Sequence, residues 1–195
     1  MTALLWLIVG VLGADNVAPA VMGFIPARLS GQFDIAPAVP ALLTPLTATL
    51  VHGGPLHLLF NLLMLLWCGT AVERVLGRGA LVLLYVVGAY ASAMAQWAVG
   101  PGSVVPMIGA SGAIGAVIGA FALSFGRPKQ IVRSQSLNRT LNALWLLAAW
   151  VVLQVLMGLT AGGQGLMLAT AAHIGGFVAG LLMQRPLLLW RYRDA

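Results

Sequence analysis

Along most of the chain, apolar runs alternate with short breaks rich in Gly, Pro and basic residues. The first run, from Ala3 to Gly13, is short; Asp15, Asn16 and Pro19 interrupt it before it resumes toward Ile25. Taken together, about residues 3–24 predict a first spanning helix. Pro26 to Pro45 holds Arg28, Asp34 and the prolines Pro26, Pro37, Pro40 and Pro45, too polar and too broken to span. Pro55 suits the first turn of a helix, where its missing N–H loses no partner, and predicts a second helix over about 55–75. Gly77-Arg78-Gly79 predicts a turn, followed by a third helix over about 80–99. A Gly/Pro loop leads to a fourth over 111–125. The polar stretch 126–138 precedes a fifth over about 139–159, and a glycine-rich loop precedes a sixth over 166–183. The pattern predicts an all-α six-transmembrane-helix bundle, a single integral membrane domain over residues 1–195.

Composition fixes the solvent. The 195 residues are 61% hydrophobic and 7% charged, with mean hydropathy +0.99, where a soluble domain carries about a quarter charged residues. Each span needs roughly 20 apolar residues, so the length accommodates about six and no soluble domain beside them. The +6 net charge is not a nucleic-acid signature, because the basic residues sit in short loops between apolar runs. Six spans place Arg74, Arg78, Arg127, Lys129, Arg133, Arg139, Arg185, Arg191 and Arg193 on one side, nine of the ten basic residues. The positive-inside rule then puts both termini of a multi-pass protein in the cytoplasm; a bacterial plasma membrane is the expected location. No cleavable leader is expected, since Met1-Thr2 lacks a basic n-region. Cys68, the single cysteine, excludes an internal disulfide. No long internal repeat favours a transporter.

Against this apolar background a few polar residues stand out. Gly109-Ala110-Ser111-Gly112 lies at the mouth of the fourth helix. Small residues there serve close helix packing; a serine flanked by glycines and unpaired helix-terminal amides is also a candidate nucleophile. His52, His57 and His173 fall near the same outer face as Ser111, and strongly polar groups inside a membrane are functional candidates. His57 and Asn61 share a helix face. They read either as interhelical polar glue or as donors aimed at a developing negative charge. Three histidines could in principle hold a metal, but His52 and His57 are not at the i, i+4 spacing of a helical pair and no carboxylate lies near in sequence; no metal is expected. The Gly176–Gly180 pair and the stripe Ser111, Gly115, Gly119 have the spacing that lets two helices dock closely. Docking them would bring His173 within reach of Ser111, the geometry of a nucleophile and its base. Of the four acids, Asp15, Asp34, Glu73 and Asp194, none has a signature that would orient His173, so the expectation is a Ser–His dyad.

These residues together resemble the rhomboid family of intramembrane serine proteases. The resemblance rests on His52-Gly-Gly-Pro-Leu-His57-Leu-Leu-Phe-Asn61, on Ala71-Val72-Glu73-Arg74-Val75-Leu76-Gly77, on Gly109-Ala-Ser111-Gly112, and on Ala172-His173-Ile-Gly-Gly176-Phe-Val-Ala-Gly180, in order from His52 to Gly180. It implies a six-helix rhomboid-like bundle in the lipid bilayer that needs no cofactor and cuts single-span membrane protein substrates. Ser111 would be the nucleophile, and His173 the general base. His57, Asn61 and the Ser111 amide would form the oxyanion hole, and His52 would support the loop above it. Two places depart from the family pattern. Gly115 stands where members often carry an aromatic ring against the histidine, so His173 must be held by Phe177 or by tighter helix contact. Leu43-Thr44 stands where some members have Trp-Arg. Other readings are a non-catalytic relative that binds or escorts membrane proteins, and a small channel, against which the one-sided placement of polar groups argues.

Overall fold

A computed structural model describes residues 6–7, 13, 16–125, 132–160 and 166–194. In the first apolar run the described residues form a short helix, α1 (Ala18–Met22), with Pro19 in its first turn. It ends at Gly23, whose backbone is extended with ψ 154°. Phe24 then pairs with Met107 as an isolated antiparallel bridge. The helix expected over 3–24 therefore stops short of Phe24, because Phe24 exchanges backbone bonds with Met107 at 3.0 and 2.8 Å. Most of the rest of that expected span lies outside the described residues.

The segment read as a loop, Pro26 to Pro45, is folded into short turns: α2 (Pro26–Leu29), a 3-10 turn at Ala41–Leu43, α3 (Thr44–Thr47) and another 3-10 turn at Ala48–Leu50. Side chains tie it down. Arg28 Nη2 donates to the Val39 carbonyl at 2.9 Å, Thr47 Oγ1 to Met22 at 2.7 Å, and Trp97 Nε1 to Ser30 Oγ at 2.8 Å. Phe24, Ala48 and Ala93 bury a small apolar cluster beneath it.

Five longer helices follow: α4 (Pro55–Leu76), α5 (Arg78–Val99), α6 (Ser111–Phe125), α7 (Gln135–Thr160) and α8 (Leu166–Arg191). Their ends differ from the sequence expectation where a cap or turn is tighter than composition suggests. Gly77 (φ +86°) makes the whole α4–α5 turn, so α5 begins at Arg78 rather than near 80. Ser134 caps α7 a turn before Arg139, its carbonyl accepting from the Asn138 amide at 3.0 Å and its Oγ from Leu137 at 3.3 Å. Helix α8 runs past residue 183, through Pro186, to Arg191. There the Tyr192 hydroxyl donates to the Val75 carbonyl at 3.2 Å, closing α8 onto the end of α4. Among the described residues four helices, α4, α5, α7 and α8, are long and apolar enough to cross a membrane.

Helix α6 is the hub. Its described part covers 15 residues, about 22 Å of length, and every residue from Ser111 to Ala120 is buried. It packs against α4, α5, α7 and, most broadly, α8. The α6–α8 contact is backbone to backbone: a Cβ added at Gly176 would overlap the Gly112 carbonyl, and one at Gly180 the Ala116 carbonyl. Gly175, on the neighbouring face of α8, presses in the same way on Ala91 and Ala95 of α5. Large apolar side chains instead cover the outside, with Trp67 74% and Leu182 71% exposed. That inversion suits a lipid-facing surface.

Candidate active site

Ser111 is placed by the turn that precedes it. Gly109 has φ +105°, a conformation open to glycine and strained for other residues. Its amide donates to the Ala48 carbonyl at 2.9 Å, so the folded outer segment holds the entry to α6. The first intrahelical bond runs from the Ile114 amide to the Ala110 carbonyl at 2.9 Å. The amides of Ser111, Gly112 and Ala113 therefore have no partner within the helix. They form a donor cluster beside the Ser111 hydroxyl.

The docking of α6 on α8 brings His173 alongside. Ser111 Oγ and His173 Nε2 are 2.8 Å apart, and both residues are buried, at 6% and 5% exposure. With Nδ1 carrying the imidazole proton, the hydroxyl donates to Nε2, the arrangement of a nucleophile and its base. Ser92, Met107, Ile108, Gly109 and Ala172 join them in lining a small cavity.

His57 approaches from α4. A Cβ on Gly109 would lie 2.7 Å from His57 Nε2 and 3.8 Å from Ser111 Oγ, so only a glycine lets this ring close over the serine. The Gly53 amide donates to His57 Nδ1 at 3.4 Å. That long bond favours the tautomer with Nε2–H directed at the Gly109–Ser111 turn. His52 packs edge-on against His57, ring centroids 5.0 Å apart. Burial first, and the neighbouring His57 second, lower the His52 imidazole to about 4. It is neutral and acts as a wall for His57. Asn61, one turn further along α4, donates from Nδ2 to the His57 carbonyl at 2.8 Å. Its Oδ1 is buried without a hydrogen-bond partner among the described residues. The structure thus gathers Ser111, His173, Gly109 and His57 at one point, and ties Asn61 to the His57 backbone rather than to Ser111.

Gly112, Gly176 and Gly180 lie in the α6–α8 seam that sets the Ser111–His173 distance. Asp34, Glu73 and Asp194 are exposed, and Asp15 lies outside the described residues. No group of three or more His, Cys, Asp or Glu able to hold a metal occurs among the described residues.

Three residues at the site were not singled out from the sequence. Ser92 and Gln96, a turn apart on α5, are 1% and 2% exposed, with Ser92 Oγ and Gln96 Oε1 unpartnered among the described residues; Ser92 abuts Gly112. Trp150 of α7, 3% exposed, sets its ring 6.2 Å from that of His173, centroid to centroid, at 77°. At Gly115, where the sequence left His173 to be held by Phe177 or by closer helix contact, a Cβ would be 3.2 Å from the His173 carbonyl, so α6 and α8 run close together there. The ring set against the imidazole is that of Trp150. Its signal in the sequence is phase: Ala143, Leu146, Leu147, Trp150 and Leu153 recur at helical spacing and face the core, whereas Trp145 is 69% exposed.

The family model of the Rhomboid domain matches residues 41–190. The rhomboid protease GlpG of Enterobacter sp. (strain 638) is 34% identical over 139 residues, 70% of this chain and 45% of that protein. GlpG of Pectobacterium atrosepticum is 36% identical over 138 residues, 69% of this chain and 44% of that protein. The rhomboid protease GluP of Bacillus subtilis is 31% identical over 136 residues, 69% of this chain and 24% of that protein. The match thus spans less than half the length of these relatives. With the family model matched over residues 41–190, most of the sequence, this integral membrane chain belongs to the rhomboid family.

Proposed function

We propose that this chain is an intramembrane serine endopeptidase that cuts single-span membrane-anchored proteins through a Ser–His dyad. The observation that carries the reading is the 2.8 Å contact between Ser111 Oγ and His173 Nε2, buried between two closely docked helices. In this reading Ser111 Oγ attacks the peptide carbonyl carbon as His173 takes its proton. The Ser111 amide and His57 Nε2–H receive the oxyanion, joined by Asn61 once its amide turns from the His57 carbonyl. The C–N bond breaks as His173 returns the proton to the leaving amine. Water, deprotonated by His173, then releases the new carboxyl end from Ser111. The chain binds no cofactor. Six spans, with nine of ten basic residues on one side, put both termini in the cytoplasm. The site then opens to the outer face of a bacterial plasma membrane.

The test is incubation of the purified full chain, in detergent or liposomes, with a fluorophosphonate probe and separately with a single-span substrate. Wild type is expected to label and to cleave. A folded chain that does neither would leave the binding or escort role as the better account.

Because the base must be neutral, turnover is expected to fall on acidification, as protonation removes the acceptor for the serine proton. Initial rates followed from pH 8 down to about pH 4, past the range of free histidine, check this; a rate that falls nowhere in that range, in a protein that stays folded, counts against the dyad. Asn61→Ala is expected to lower kcat by about 10²-fold, with substrate KM little changed and less damage than loss of Ser111. Complete loss accompanied by a lowered melting temperature would make Asn61 a helix-packing residue.

A further inference from the structure

We infer that Trp150 is the positioning residue for the His173 imidazole, supplied from α7 where α6 carries only Gly115. The inference rests on the Ser–His reading above. A side chain on α6 one turn after Ser111 would crowd α8. Even a Cβ at Gly115 would meet the His173 carbonyl at 3.2 Å and the Phe177 amide nitrogen at 3.3 Å, both backbone atoms of the helix that carries the base. The same close approach opens a gap beyond Gly115, and Trp150 fills it. Its Nε1 lies 3.6 Å from where that Cβ would stand, and its ring stands edge to face with His173 at 77°.

Two features separate this contact from ordinary core packing. Trp150 Nε1 is buried without a hydrogen-bond partner among the described residues. A polar atom left unsatisfied in the interior is unfavourable, so a ring without a polar atom would serve packing better. And the exposed acids, Asp34, Glu73 and Asp194, leave the imidazole without a carboxylate from any of them. Edge-to-face packing limits the tilt of the ring, and so keeps Nε2 on Ser111 while the proton is transferred.

The experiment compares the full-length wild type with Trp150→Leu, Trp150→Phe and, as a control on the lipid-facing side of the same helix, Trp145→Leu. It reads kcat, KM, fluorophosphonate labelling rate and melting temperature. Trp150→Leu is expected to lower kcat and labelling about tenfold, with KM within about twofold and melting within about 4 °C of wild type. Trp150→Phe, which keeps a ring edge, is expected to recover to within about threefold of wild type, and Trp145→Leu to match it. Wild-type kcat in Trp150→Leu overturns the inference while leaving the protease reading intact. So does equal loss in the Leu and Phe variants in step with lowered melting, which would make Trp150 a packing residue. Should the Leu variant fail to fold, Trp150→Met, closer in volume, takes its place against Phe. A folded wild type that neither labels nor cleaves removes the protease reading, and this inference with it.

Discussion

Ser111→Ala is expected to abolish both cleavage and fluorophosphonate labelling, a loss of about 10⁶ in turnover, in a protein that folds and melts as wild type does. The change removes one oxygen from a buried position whose side-chain partner is His173 Nε2 at 2.8 Å. The methyl that remains fits the same space. The unpaired amides at the start of α6 and the His57 ring over Gly109 stay in place, so a residue of about 10³-fold catalysis over water is compatible with their survival. His173→Ala should be as severe. Because the two act as one unit, the double variant should be no worse than either alone. Labelling with a fluorescent fluorophosphonate, read beside cleavage and a thermal melt, checks all three. Cleavage that persists in Ser111→Ala would place the nucleophile elsewhere.

Gly176→Ala should be among the most damaging single changes outside the site. The added Cβ would overlap the Gly112 carbonyl oxygen and lie 3.0 Å from its carbon. Neither atom can swing away as a side chain can. Relief requires α6 and α8 to part, and their contact is the broadest in the molecule. A cost above about 4 kcal/mol, in the range reserved for a few mechanisms such as core overpacking, is expected. It should appear as loss of a monodisperse folded species, or as a collapsed melting temperature in detergent. Gly79→Ala makes the contrast, since nothing lies within 4 Å of its Cβ position; it should melt at or slightly above the wild-type temperature. Equal melting of the Gly176 and Gly79 variants would mean the seam is looser than its geometry.

What could be read from the chain follows from where the information lies. The docking of α6 on α8 was legible because small residues recur there at fixed spacing: Gly115 and Gly119 of the stripe read from the sequence do press on the α8 backbone at His173 and Phe177, but the atoms facing Gly176 and Gly180 belong to Gly112 and Ala116, one position along the helix from that stripe. The start of α4 was legible because Pro55 can occupy few other places in a helix. The end of α8 was not, because Pro186 and Arg185 look like a stop. The helix continues since its end is held from outside, by Tyr192 on Val75. The outer segment from Pro26 onward was read as a loop for the same kind of reason. Its turns are fixed by distant partners, such as Met22 for Thr47 and Trp97 for Ser30, that local composition does not reveal. At the site, the residue types Ser111, His57 and His173 announce themselves in an apolar chain. Trp150 does not, because a tryptophan in a spanning helix is unremarked until its phase is set against the space left by Gly115. The bond of Asn61 to its own helix is a choice of rotamer, beyond the reach of spacing.

The burial of α6 on every side also bears on the order in which the protein is made. The ribosome releases Ser111 well before His173, and the two residues belong to helices that meet only when α8 has entered the bilayer and docked. A nascent chain that has delivered α6 alone therefore carries the Ser111 hydroxyl without the imidazole that stands 2.8 Å from it in the finished fold. Maturation of the site and completion of membrane insertion are, on this architecture, the same event.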